Sequence, residues 1–264
     1  MRKSCLILTC VLVLASAAQS ADTVVVSGIE SKGVQVTGVS DCQLVFNNVG
    51  GVSESALLID VSSIELAMET VFTEAEELAA DGKTDEADAK YRAALRVTTE
   101  DWVRELCRLR RYQAIEADGQ IDEAVRIWES EILGKNDFSD NAAALIPTHL
   151  AAAGDEANTD AFAALKALRA SEDVTGNDAL WASITSLLID IAQLEDLGDE
   201  QMELTDELLA RMPAGDRKTL GPRLAAAASK INYGSLEQVT SALEIITTDI
   251  ELYPSDDLGG ALFL

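Results

Sequence analysis

The sequence predicts an α+β chain, mainly α, with a small N-terminal β-sheet followed by a series of helical hairpins. Three observations predict it. Residues 22–63 alternate apolar and polar side chains and are punctuated by glycine. Beyond residue 64 the apolar period changes from two to three and four, and Ala, Leu, Asp and Glu dominate. Within that second region, one short motif returns at a fixed offset.

The first residues precede both regions. Met1-Arg2-Lys3 is a basic start, Cys5 to Ala18 is an apolar run, and small residues gather from Ala15 to Ala21. This is the pattern of a secretory signal peptide over residues 1–20. Ala18 and Ser20 suit a cut before Ala21; Ala15 and Ala17 suit one before Ala18. The run is short for a bilayer span, and no later segment approaches about 18 uncharged apolar residues. The expectation is an exported protein, periplasmic or extracellular, with no transmembrane segment once the signal is removed. Cys10, after Leu8-Thr9, makes a poor lipidation site.

From Asp22, Thr23-Val24-Val25-Val26 is β-branched, Gly28 and Gly33 mark turns, and Gly33 to Val39 alternates apolar and polar at period two. Leu44-Val45-Phe46 is a third strand, closed by Asn47-Asn48-Val49-Gly50-Gly51. Leu57 to Val61 is read as the last strand. The sequence of strands and turns loosely resembles small SH3/Sm-like barrels that come after signal peptides in bacterial proteins. As a sheet alone it would be marginal, so it is expected to pack on the helical region.

The helical region is expected to begin at Ile64. Ser62-x-x-Glu65 fits a capping box, and Ile64, Met68, Val71, Ala75, Leu78 and Ala79 recur on one face. Gly82-Lys-Thr-Asp85-Glu86-Ala87 then returns as Gly119-Gln-Ile-Asp122-Glu123-Ala124. An aromatic stands four residues after each alanine, Tyr91 and Trp128. Gly82 and Gly119 suit a helix end that wants positive φ, and the acid pairs suit the first turn of the next helix. Ala87 and Ala124 let two helices approach closely.

This constellation resembles the tetratricopeptide repeat (TPR), which has a turn glycine, an alanine five residues later and an aromatic after nine. Gly154, Gly198 and Gly234 mark degenerate copies, giving spacings of 37, 35, 44 and 36 residues. The resemblance covers residues 64–254 and leaves 255–264 as a flexible tail; an irregular bundle of the same helices is the alternative. It implies an α-solenoid whose groove holds a peptide or partner helix, hence protein–protein interaction and no catalysis. The family's carboxylate-clamp pattern is not met, since Leu109 and Gln113 stand at two of its positions.

Chemistry-bearing residues are sparse. The chain of 264 residues carries 46 Asp and Glu against 20 Lys and Arg, a formal charge of −26. Removing Arg2 and Lys3 takes it to about −28. Such a field excludes binding to naked nucleic acid, which needs clustered cations. His149 is the single histidine. It stands without a nucleophile motif and reads as a helix-start surface or packing residue. Cys42 and Cys107 read as buried free thiols in different domains. Asp155 to Asp160 and Asn136 to Asn141 lack the order of an EF-hand loop and read as caps and turns.

No cofactor or metal is indicated. Against the acidic background, Arg104, Arg108 and Arg111 recur at i, i+4 and i+7 with Arg110 beside them. They can receive a partner's carboxylate or pair with acids on adjacent helices. The expected function is an exported interaction or scaffold protein whose partner is another envelope or secreted protein or peptide. The alternatives are an exported Asp/Glu-dependent hydrolase or carbohydrate-active protein, and a purely structural envelope component.

Overall fold

The computed structural model describes residues 21–212, 220–233 and 235–252. The expected signal peptide, Gly234 and the 255–264 tail lie outside the described residues. The protein is mainly helical, with a five-stranded antiparallel sheet before the helices.

The strands are β1 (Asp22–Val26), β2 (Ile29–Ser40), β3 (Gln43–Asn47), β4 (Ser53–Leu57) and β5 (Val61–Glu65), in spatial order β4-β3-β2-β1-β5. β2 is long enough to serve two neighbours. Its first half pairs with β1 (Val25 opposite Glu30) and its second half with β3 (Val39 opposite Leu44). Gly33, expected at a turn, lies inside β2 with φ of 75°, a backbone that glycine alone adopts freely. The register slips again between Val36 and Gly38, so the strand bends from one partner to the other.

Two expectations about the end of the sheet are corrected. Leu57 to Val61 is not one strand: Leu58–Asp60 forms a 3₁₀ turn. Nor does a helix begin at Ile64. Ser62 and Glu65 belong to β5, where Ile64 pairs with Val24 and is fully buried. A local cap pattern worth about 1 kcal/mol is outcompeted by a strand that completes the sheet and seals its core. Met68, expected on the buried face, is exposed in the link to the first helix.

The helices are α1 (Thr70–Ala80), α2 (Thr84–Val97), α3 (Asp101–Ala117), α4 (Ile121–Ile127), α5 (Asp140–Ala143), α6 (Glu156–Arg169), α7 (Glu172–Thr175), α8 (Asp178–Leu194), α9 (Gly198–Arg211), α10 (Leu220–Tyr233) and α11 (Leu236–Leu252). α4 runs on into a π-helical turn over Trp128–Leu133. Each long helix packs on the long helix before it, and α1 and α3 also touch the sheet. Val24, Leu44 and Ile64 of the sheet join Phe72, Tyr91, Leu106 and the later helices in one continuous core.

Three helix junctions are built alike. At the first, the Lys83 amide donates to the Leu78 carbonyl and the Gly82 amide to the Ala79 carbonyl. Gln120 to Ile115 with Gly119 to Glu116 repeats this, as does Leu197 to Ala192 with Asp196 to Gln193. This double bond closes a helix through one left-handed residue. Gly82 and Gly119 supply it with φ of 72° and 75°. At the third junction the expected Gly198 is instead the first residue of α9, and Asp196 takes the left-handed place with φ of 55°. Asp is one of the few non-glycine residues that tolerate it. Gly154 also has positive φ but comes after an irregular segment, not a long helix.

Candidate functional site

Ala87 and Ala124 are fully buried, as are Tyr91 and Trp128. Each aromatic has its polar atom satisfied: the Tyr91 hydroxyl donates to Glu76 Oε1 at 2.5 Å, and Trp128 Nε1 donates to the Ala142 carbonyl at 2.9 Å.

The arginines of α3 are engaged within the chain. Arg104 donates to Asp101 at 2.7 Å and to the Thr98 carbonyl at 3.0 Å. Arg108 donates to Glu105 at 3.0 Å and lies 3.6 Å from Glu131. Arg111 is buried and gathers Asp88 of α2, Glu123 of α4 at 2.9 Å, and Glu131 at 3.8 Å. A ligand carboxylate would have to displace these partners, and around Arg111 the displaced acids would be left close together.

Two of the acids that hold Arg111, Asp88 and Glu123, line an acidic cleft of about 860 Å³ between the starts of α2, α4 and α6. The junctions at Gly82 and Gly119 set two of its sides, the starts of α2 and α4. Exposed Asp85, Asp118 and Asp122 line it. Asp88 and Glu123, also in the wall, are already paired: Arg92 reaches Asp88 at 2.7 Å and Arg126 donates to Glu123 at 2.7 Å. Burial would raise the Glu123 pKa, but its bonds to Arg126 and Arg111 outweigh burial and hold it low. Glu123 is therefore a poor proton donor and a permanent anion. Asp85, Asp122 and Glu123 sit in first helical turns, where they also complement the helix dipoles, while Asp118 stands at the C-terminal end of α3. Among the described residues, no group of three or more His, Cys, Asp or Glu side chains is arranged to hold a metal ion. The cleft can attract and hydrogen-bond cationic groups.

The far wall of the cleft is the irregular segment 144–155. His149, expected at a helix start, lies in this segment instead. Its Nδ1 is 2.6 Å from Glu116 Oε1. That same oxygen accepts from the amides of Thr148 and His149 and from the Thr148 hydroxyl, at 2.9, 3.1 and 3.0 Å. Burial would raise the Glu116 pKa, yet these hydrogen bonds, that of His149 foremost, bring it below its ordinary value. At the other end, Glu195 accepts from the Gly154 amide at 3.0 Å and from Asn158 Nδ2 at 2.7 Å. Asp155 caps α6, accepting from the Ala157 amide at 3.0 Å. Ser139 caps α5 in the same way, and Asp137 is a left-handed turn residue.

A second concavity of about 420 Å³ lies between α6, α8 and α9. Beside it Trp181 is held between two guanidinium groups, Arg169 at 4.8 Å and Arg211 at 4.4 Å from the ring. Both arginines are tethered, Arg169 by Glu207 and Arg211 by Asp178.

The polar centre that sequence reasoning missed joins sheet to helices. Glu76 of α1, only 6% exposed, takes three bonds from Arg110 of α3, one from Tyr91 of α2 and one from the Ile64 amide of β5. Arg110 also donates to the carbonyls of Val61 and Ser62, at 2.7 and 3.1 Å. Desolvation would lower the Arg110 pKa, but Glu76 overrides it and keeps the guanidinium charged. Burial, then the charge of Glu76, pushes the Tyr91 phenol up. The one signal in the sequence is Glu76 itself, a charge on the apolar stripe between Phe72 and Ala79.

Cys42 and Cys107 are buried free thiols, each pushed up to about 12, first by burial and then by nearby carboxylates. Comparison of the chain with protein families, curated proteins and solved structures finds no match. No helix among the described residues is long and apolar enough to cross a membrane.

Proposed function

We propose that the chain is an exported interaction or scaffold protein whose acidic cleft receives a Lys- or Arg-bearing segment of another envelope or secreted protein. The observation that carries this reading is the cleft: exposed Asp85, Asp118 and Asp122 stand around one opening, whose other acids Asp88 and Glu123 are already paired with arginines. A basic segment entering there meets the exposed Asp85, Asp118 and Asp122, which no arginine of the cleft pairs. Steering by the net charge of −26 would speed that encounter.

The architecture we propose behind this function is a small SH3-like barrel joined to TPR-like hairpins. Support for the hairpins comes from the matching closures at Gly82, Gly119 and Asp196, each succeeded by an acid pair and a buried residue (Ala87, Ala124, Gln201). Support for the barrel comes from the strand order, with β5 returning beside β1 after a 3₁₀ turn. Export rests on the pattern of Met1 to Ala21.

The test is titration of the chain from Ala21 onward with a Lys/Arg-rich peptide and with its Glu-substituted counterpart. The basic peptide is expected to bind, less tightly as salt rises, and at least tenfold more weakly to Asp85→Asn/Asp122→Asn. Equal binding by the double variant would reject the cleft. No binding at low salt would leave the chain as a spacer. Export is tested separately by fractionation and N-terminal sequencing, with a mature end at Ala21 or Ala18 expected.

A further inference from the structure

α11 presents an apolar strip that no other part of the described chain covers. Leu236 and Leu243, seven residues apart, are 84% and 52% exposed. A helix turns about 100° per residue, so residues seven apart share a face about 10 Å apart along the axis. Thr240 lies between them, and on one side of Leu236 a shallow groove of about 600 Å³ is lined by Glu237, Thr240, Ser241 and Glu244. Half-buried Val239 and Ile246 flank the two leucines on the side away from the groove, which leads to fully buried Ala242. Glu237 and Glu244, again seven apart, border the other side. Elsewhere among the described residues each long helix packs against the next.

We propose that this face is a docking seam for a partner helix that carries an apolar ridge and Lys or Arg along one flank. Two leucines left in water forgo burial that a helix laid on this face recovers. The flanking acids select its charge: Lys or Arg opposite Glu237 and Glu244 is favourable, as at the edges of a coiled coil. A second copy of this chain is disfavoured, because it brings the same glutamates and another −26 of charge to the contact. The seam is separate from the acidic cleft. The proposal rests on the reading of the chain as an interaction protein only in supposing a partner.

The experiment uses the full mature chain and two synthetic amphipathic helices with identical leucine ridges, one flanked by lysine and one by glutamate. Binding is read by fluorescence anisotropy. The lysine-flanked helix is expected to bind at least tenfold more tightly than the other. Leu243→Asp is expected to weaken that binding tenfold or more, although the added negative charge would strengthen a purely electrostatic association. Leu236→Ala is expected to weaken it several-fold. Both positions are exposed, and an unchanged circular dichroism spectrum certifies the fold. Asp85→Asn/Asp122→Asn is expected to leave this binding unaltered, so failure here and failure of the cleft are distinguishable. Equal binding of the two helices, or full binding by Leu243→Asp, overturns the proposal. So does a dimer that Leu243→Asp dissociates, which would assign the seam to a second copy. Binding seen only after deletion of residues 253–264 would assign it to the chain's own tail and also overturn it.

Discussion

Arg110 and Glu76 form a two-point ion pair, with Arg110 Nε 2.8 Å from Glu76 Oε1 and Nη2 2.7 Å from Oε2, both side chains almost wholly enclosed. Around this pair α1, α2, α3 and the last strand share polar atoms.

Removing one member leaves the other charged and buried. Glu76→Gln or Arg110→Met is expected to lower stability by about 3–5 kcal/mol. The double variant Glu76→Gln/Arg110→Met is expected to lose less than the sum of the two. Urea unfolding of the four proteins gives the coupling directly. Additive losses would mean that the two groups act independently.

The helix closures give a second prediction. Gly82 has open space where a Cβ would stand, so Gly82→Ala meets only the backbone cost of a left-handed residue, about 1–2 kcal/mol. Asp196→Gly runs the other way and is expected to stabilise by up to about 1 kcal/mol. Thermal unfolding of both variants measures the opposite signs. A destabilised Asp196→Gly would mean that the aspartate side chain contributes more than its backbone strain costs.

Acid is expected to loosen the 144–155 segment. The folded-state pKa of Glu116 is depressed below its ordinary 4.5, so its contribution is complete above that value and is lost as pH falls through the depressed one. Amide exchange at Thr148 and His149 should accelerate there, and Glu116→Gln should show fast exchange already at neutral pH. Protection in Glu116→Gln equal to that of the parent would contradict this.

Burial of Cys42 and Cys107, with both thiols pushed up to about 12, predicts silence toward a thiol reagent in the native state. Both should react on unfolding. Rapid native-state labelling of either would show that its cover opens readily.

The sequence carries the parts of the fold that depend on near neighbours. Alternation along Gly33 to Val39 marks a strand, and Gly82 and Gly119 mark two helix ends, because turn chemistry and face periodicity are local. It misleads where a local signal competes with a distant one. Ser62-x-x-Glu65 reads as a cap until Ile64 finds Val24 across the sheet. Asp196 is hidden by Gly198, since glycine is the habitual mark of a closure that aspartate also performs. The arginines of α3 can be located but not assigned, because Asp88 and Glu123 approach Arg111 only once α2 and α4 have packed against α3. The acidic cleft is invisible for the same reason: Asp85, Asp118 and Asp122 become neighbours only through the stacking.

The stretch from Ala144 to Asp155 lacks any helix, yet one glutamate holds it near the middle and another near its end. Buried Asn158 also holds Ala151 and Ala152 between those anchors, so added length is expected to be tolerated at exposed Ala153, where it would leave both helices in place. At Gly82 or Gly119 a single inserted residue would rotate everything downstream. Natural variation in length, and any engineered graft, therefore has a tolerant doorway in this molecule, and it opens beside the cleft.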